Sequence, residues 1–364
     1  MITSEHELRA LCHRALKAGR VALDTEFFWE RTFYPQLGIV QLGLSDSDLH
    51  LIDAVALPTL PGLGDVLADP GTQLILHDAI QDLQILSRHT GSLPRNVFDT
   101  RRAAGFAGML STVSLSNLLK DALQIHLAKA ETRSDWLQRP LSDEQLAYAF
   151  DDIRHLPALC DTLCAAAAER GNGEALAEEM RMYDTPSLYA DAAPDAVYLR
   201  YKPFRWSPRQ RTLLYTLVCW REEDARRMDR PRNHIMQDAD LLALVQHAPA
   251  DSASLEAVRG LSRHTLQRHR QAILAAMETA NQFPPEALPD SPEKEDRLST
   301  ERKLAIQNRQ VTIKTQADAA GIDPALIATK ADITALVRYE AEGSPLPPER
   351  LRTGWRTRFI TPPS

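Results

Sequence analysis

Residues 21–44 read VALDTEFFWERTFYPQLGIVQLGL. The stretch opens as an apolar strand and places two acids, Asp24 and Glu26, near its end. Successive side chains of a strand point to opposite faces. Val21, Leu23, Thr25 and Phe27 therefore share one face, and Ala22, Asp24 and Glu26 share the other. Two acids side by side on a sheet next to a core are a local cost. Alone, Asp-x-Glu reads as a strand ending in water, and only partners elsewhere in the chain change that.

The chain around this stretch alternates strand and helix patterns. Strands are expected at Gly38–Leu44 and Leu49–Asp53, separated by Ser45-Asp46-Ser47-Asp48, and such close spacing favours an antiparallel meander. A short helix near Leu63–Ala68 is followed by an apolar strand, Gln73–Leu76, and then by helical DAIQDLQILSRH (78–89). Val97-Phe98-Asp99 reads as a further strand. Ser142 with Gln145 makes a capping box, so a helix starts there, and Pro157 is expected to kink it. The sum is an α/β layered domain with a mixed sheet.

Past residue 200 no strand pattern appears. Ser207-Pro208 is a helix start, with Ser as cap and Pro in the first turn. Helices are expected to about Asp229, then at Asp238–Gln246, Ser254–Val258 and Arg263–Ala280, before a proline-rich, charged linker. A second helical block echoes the first. IMQDADLLALV (235–245) and IATKADITALV (327–337) match at a constant offset, which points to an internal duplication. The expected partition is 1–170 for the α/β domain and 171–204 for a connector. A helical bundle at 205–283, a linker at 284–297 and a second bundle at 298–364 follow.

At 364 residues the chain is too long for one ordinary domain. Its 44% hydrophobic and 25% charged residues are those of a soluble globular protein. No apolar run is long enough to span a bilayer and no signal peptide is read, so the expected location is the cytoplasm. The four cysteines lack metal-type spacing, and Cys160 and Cys164 are expected as small core residues of a reducing compartment. The net charge of −7 hides a basic segment from Arg200 to Arg232, which reads equally as a phosphate-binding face or a solvated helix surface. No membrane partner and no obligate protein partner are read from the sequence.

Candidate partners for Asp24 and Glu26 lie on two later helices. Asp78 and Asp82 are one turn apart, as are Tyr148 and Asp152, with Asp151 adjacent. Strand ends of an open α/β sheet border the usual site crevice. Acids converging there would raise one another's pKa values unless a counter-charge intervened. Oxygen ligands without a Cys or His cluster favour magnesium or manganese. Two such ions can clamp an in-line phosphoryl displacement.

DTEF (24–27), HDAIQDL (77–83) and YAFDD (148–152), in that order, resemble the three motifs of the DEDD 3′-to-5′ exonucleases, with Tyr148 marking the tyrosine subtype. ALDTEFFWERTFYPQLGIVQL (22–42) and TRSDWLQRPLSDEQLAYAFDDIRHL (132–156) are similar to the bacterial ribonuclease D family. Residues 205–245 resemble the helicase-and-ribonuclease-D C-terminal (HRDC) domain, of which that family carries two. The resemblance covers nearly the whole chain and is weakest after residue 285. It implies a ribonuclease H-like exonuclease domain followed by two small all-α bundles. It also implies a metal-dependent 3′-to-5′ exoribonuclease that trims RNA 3′ ends, precursor tRNA and other small structured RNAs foremost, and releases nucleoside 5′-monophosphates.

Carried over residue by residue, Asp24 would bridge two divalent ions, and Glu26 and Asp152 would complete the site of the ion that activates the nucleophile. Asp82 would support the second ion through water, and Tyr148 would orient the attacking water. Asp78 and Asp151 stand where relatives often have a small residue; both are expected to point away, and both stay open as minor ligands. Phe28, with Phe27 and Trp29 beside it, could stack a terminal base, although alternation turns Phe27 to the core, and Arg133 could touch a substrate phosphate. His77 is expected as a satisfied strand-end histidine. Two other readings keep the same residues: an exonuclease acting on DNA, and a catalytically silent nucleic-acid adaptor, against which the retained acids and Tyr148 argue.

Overall fold

The computed structural model describes residues 1–127, 134–289, 299–343 and 346–360. The N-terminal region builds a five-stranded sheet: β1 (Arg20–Phe28), β2 (Gln36–Gly43), β3 (Leu49–Asp53), β4 (Gln73–Leu76) and β5 (Val97–Asp99), in the order β3-β2-β1-β4-β5. The sheet is mixed. β2 and β3 run antiparallel, with Ile39 opposite Asp53, while β1–β4 and β4–β5 run parallel. Val21, Ala22, Leu23, Leu74, Ile75 and Leu76 are fully buried, as expected of central strands covered on both faces.

The register places the acids. Ala22 pairs with Ile75, so Asp24 lies beyond the last residue of β4, at the carboxyl end of the parallel strands. The helix Ile80–Thr90 leaves that same end of β4. Asp78 does not belong to this helix. It sits before the first turn at φ 62°, so the expected one-turn pairing of Asp78 with Asp82 does not form. Ser142 caps the helix Asp143–Arg154 through the reciprocal bonds expected of a capping box. Pro157 falls in the first turn of a new helix, Leu156–Glu169, rather than kinking the old one; a first-turn proline leaves no intrahelical bond unmade. Cys160 is buried there as expected, but Cys164 is exposed.

By contacts the chain divides into two compact units. The first comprises Met1–Phe28, Leu37–Ala190 and the segment that begins at Ser299; the second comprises Trp29–Gln36 and the segment that begins at Asp191. Residues expected as a connector thus include a helix, Gly173–Met180, that belongs to the first unit. The C-terminal helices, expected as a bundle of their own, pack within the first unit. Buried Glu179 takes hydrogen bonds from Trp355 Nε1 at 3.0 Å and Arg356 Nη2 at 2.9 Å, and it also pairs with Arg102. Sequence spacing carries no trace of so distant a set of partners. Residues 290–298, most of the expected linker, lie outside the described residues.

The second unit centres on a buried cluster that includes Leu214, Leu217, Leu241, Leu244 and Ile273. Its helix Pro208–Met228 is followed by Arg232–Ile235 and Asp238–His247; the C-terminal segment repeats this as Thr300–Ala320, Pro324–Ile327 and Lys330–Glu342. One offset relates Pro208 to Thr300, Met228 to Ala320, Arg232 to Pro324 and Asp238 to Lys330. The repeated Asp240 and Asp332 are both buried. Asp240 accepts from Ser262 N at 2.7 Å and Asp332 from Thr329 N at 2.7 Å. Among the described residues, no helix is long and apolar enough to cross a membrane.

Candidate active site

Alternation along β1 puts Asp24 and Glu26 on one face, and the helix Asp143–Arg154 brings Asp152 to them. One carboxylate oxygen from each of the three lies within 4.8 Å of the others. Asp82, in the first turn of Ile80–Thr90, is outside this trio. It is 8% exposed and accepts a hydrogen bond from the Thr25 hydroxyl. Its charge is nevertheless the largest electrostatic influence on Asp24 after burial.

The electrostatics are those of acids with no neutralising partner. Burial, then the charges of Asp82, Asp152 and Glu26, hold the Asp24 pKa well above the carboxylate range. Burial, with Asp152 and Asp82, raises Glu26 to about 8. Burial raises Asp82 to about 7, against the Thr25 hydrogen bond, and raises Asp152 to about 7, against the Tyr148 hydroxyl. No arginine or lysine ranks among the main influences on any of the four. Asp152 Oδ2 is buried and has no hydrogen-bond partner among the described residues. An all-oxygen donor set, one buried orphaned oxygen and mutually raised pKa values fit a hard divalent cation.

The other acids are partnered. Asp78 pairs with Arg101, and Asp151 lies 3.6 Å from Arg154. His77 Nδ1 sits 3.0 Å from Thr100 Oγ1, a satisfied histidine whose pKa burial pushes down. Tyr148 projects from the same helix face as Asp152. Burial and the charges of Asp152, Glu26 and Asp24 push its pKa far above that of a free phenol. Its ring packs 6.1 Å from that of buried Trp136. Trp136 in turn lies on Gly38 of β2, where an added Cβ would come within 2.5 Å of the Trp136 carbonyl oxygen. Arg139 fastens this layer, with hydrogen bonds to Gly38 O at 2.9 Å, Trp136 O at 2.8 Å and Asp53 Oδ1 at 2.7 Å.

Phe28 ends β1, half-buried, and Arg133 lies outside the described residues. The residue that sequence reasoning missed is Thr25. Alternation assigns it to the core, and it is buried, but its hydroxyl donates to the Asp82 carboxylate and so fixes an acid of the site. A hydroxyl between two acids at a strand end was the available signal. Part of the expected basic face is committed to ion pairs. Arg221 pairs with Asp238, Arg227 with Asp224 and Arg232 with Glu222.

A family described as 3′-5′ exonuclease matches residues 1–165, and the HRDC domain matches residues 210–277. The chain is 36% identical over 363 residues to ribonuclease D of Desulfotalea psychrophila, covering 99% of this chain and 96% of that one. The chain belongs to the ribonuclease D family. The Escherichia coli ribonuclease D is 29% identical over 363 residues, covering 99% of this chain and 96% of that one. The crystal structure of Escherichia coli RNase D, described as an exoribonuclease involved in structured RNA processing, superposes with a TM-score of 0.85. It has 28% identity and covers 99% of this chain and 95% of that one. The catalytic core of RRP6 from Trypanosoma brucei shares the fold, with a TM-score of 0.60 and 20% identity over 77% of this chain and 79% of that one. As a member of the ribonuclease D family, the chain is a hydrolytic 3′-to-5′ exoribonuclease, and the three-carboxylate cluster lies in its exonuclease domain.

Proposed function

We propose that this protein trims RNA 3′ ends one nucleotide at a time, precursor tRNA and other small structured RNAs foremost, and releases nucleoside 5′-monophosphates in the cytoplasm. The convergence of Asp24, Glu26 and Asp152 oxygens within 4.8 Å carries the reading. Asp24, Glu26 and Asp152 would hold one divalent cation, and Asp24 with Asp82 a second; magnesium or manganese suits the all-oxygen set. Such ions, when bound, supply Lewis-acid stabilisation of phosphate charge and lower the pKa of water.

The protein's own groups supply position. Thr25 fixes the Asp82 carboxyl, and Trp136 limits the Tyr148 ring. A phenol whose pKa is pushed far up stays protonated, so Tyr148 acts as a hydrogen-bond donor that orients water rather than as a base. This role assigns the chain to the tyrosine subtype. Phe28 and Arg133 are proposed to touch the substrate end. The C-terminal repeat is proposed as a second, diverged HRDC-like domain, supported by the constant offset of its helices.

The test is incubation with 3′-tailed RNA and matched DNA in magnesium, manganese or EDTA. Stepwise shortening of RNA with either metal, and none in EDTA, supports the reading. Shortening of DNA alone supports a DNA exonuclease, and no shortening under any metal supports an adaptor.

A further inference from the structure

The second unit contains a cavity of about 480 Å³ that is remote in role from the carboxylates. Part of its wall is Trp29, Glu30, Thr32 and Phe33, from the stretch that follows β1, and part comes from Arg200, Tyr201, Arg221 and Asn233. Trp29 is 51% exposed, yet it is not loose. Its Nε1 donates to Phe33 O at 2.9 Å, which leaves the ring as an apolar plate with no unmet polar group. The stretch is anchored in its turn, since Phe33 N and Tyr34 N both donate to Asp229 Oδ1, at 3.0 and 3.1 Å.

The cationic groups of the wall differ in their commitments. Arg221 is 1% exposed; it donates to Asp238 Oδ1 at 2.7 Å, to Met236 O at 3.2 Å and to Tyr201 Oη at 2.5 Å. Its Nε has no partner among the described residues. Arg232 is held by Glu222 and stacked on Phe33 at 4.6 Å. Arg200 is exposed and forms no ion pair among the described residues. Two acids line the cavity: Asp238, already occupied by Arg221 and Tyr201, and Glu30, next to Trp29. The cavity therefore offers a fixed indole plate, an uncommitted guanidinium, a buried unsatisfied N–H and the Asn233 amide.

We infer that this cavity is a subsite for one unpaired nucleotide of the RNA strand, its base on Trp29 and its phosphate at Arg200. Flat π-faces and guanidinium groups together bind single strands without reading sequence. The size fits one nucleotide rather than a duplex. Trp29 is three residues from Glu26 along the chain, so their Cα atoms are at most about 11 Å apart. A strand whose 3′ end is being cut can thus leave an earlier nucleotide in this cavity. The inference rests on the exoribonuclease reading for the identity of the strand.

The test uses the full chain and its Trp29→Ala, Arg200→Ala and Trp29→Phe variants on oligoadenylates of increasing length, from the dinucleotide upward. For long strands, KM should rise about tenfold in each alanine variant with kcat within about twofold, since one stacked base or one phosphate contact is lost. The dinucleotide, too short to fill the cavity, should be cut with unchanged KM. Trp29→Phe should recover most of the loss. An unchanged KM for long strands in both alanine variants, or an equal rise for the dinucleotide, overturns the subsite. Binding of a labelled long oligoadenylate in EDTA separates the two readings. If wild type cuts no RNA, the exoribonuclease reading falls, and the loss or retention of EDTA binding in the alanine variants still decides the cavity.

Discussion

Asp99 and Asp152 are acids of the same unit, and the fold treats them in opposite ways. Asp99 is 2% exposed, and its carboxylate accepts from the backbone N–H groups of Asp78, Ala79, Arg101 and Arg102 and from the Tyr183 hydroxyl. It caps the helix Thr100–Phe106 and ties down the start of Ile80–Thr90, the earlier helix. Asp152 has one buried oxygen with no donor; apart from the Tyr148 hydroxyl, the groups that act on it are other acids. A chain that can surround one carboxylate with five donors has the means to satisfy another. Buried acids left without donors or cations are costly to stability. The contrast teaches that the Asp99 arrangement serves the fold, whereas the Asp24, Glu26 and Asp152 arrangement costs the fold and fits a site that a divalent cation would neutralise.

Breaking the comparison on the side of the trio should give the largest effect. Asp24→Asn or Asp152→Asn is expected to lower the single-turnover trimming rate by about 10³-fold or more. The same variants should melt at equal or higher temperature than wild type in EDTA, because a repelling charge is removed. A variant that lost activity through unfolding would not pass that second measurement. On the other side, Asp99→Asn replaces acceptors with a donor that faces donors. It should lose about 3 kcal/mol by urea denaturation.

Cations sharpen the contrast. Magnesium or manganese at about a hundred times its dissociation constant should add about 2.7 kcal/mol to the stability of the wild type by linkage. Little should be added to Asp152→Asn. The raised pKa values of the site's acids predict a pH effect in EDTA. Folded pKa values for Glu26, about 8, and for Asp82 and Asp152, about 7, lie above the ordinary 4.5 and 3.8. Folding therefore favours the protonated forms. Their stabilising contribution is complete below about pH 4 and is lost as the pH rises through 7 to 8. Melting in EDTA should fall between about pH 5 and 8.5 more steeply for wild type than for Asp152→Asn, and saturating magnesium should flatten it. The smallest effect is expected for Asp151→Asn, whose ion pair among the described residues is a half-exposed one with Arg154. Trimming should stay within about twofold and stability within about 0.5 kcal/mol.

What could be read from the sequence follows from the range of the interactions involved. Strand alternation fixed the shared face of Asp24 and Glu26, and helical spacing joined Tyr148 to Asp152; both are rules of neighbours. Ser142 and Ser207 announced their helices because a capping box is closed within four residues. Asp78 escaped because its left-handed backbone interrupts the helix that the pattern suggested. Thr25 escaped because burial and function coincide in it. The basic run from Arg200 to Arg232 is legible only in part. A charge count cannot see that Arg221 is buried against Asp238 or that Arg232 is spent on Glu222. The seat of the C-terminal helices depends on Glu179 meeting Trp355 and Arg356, a contact across 176 residues and one that no local pattern encodes.

The interleaving of the two units bears on how the protein can be dissected. The chain enters the second unit at Trp29, returns at Leu37, and enters it again at Asp191 before the final helices rejoin the first. No single proteolytic cut can release an intact nuclease core. A fragment ending before Ser299 loses the helices that cover Phe106, whose ring meets Trp355 edge-on at 5.0 Å. A minimal catalytic version would have to be built by splicing, with the eight-residue excursion shortened to a turn and the C-terminal helices grafted back on.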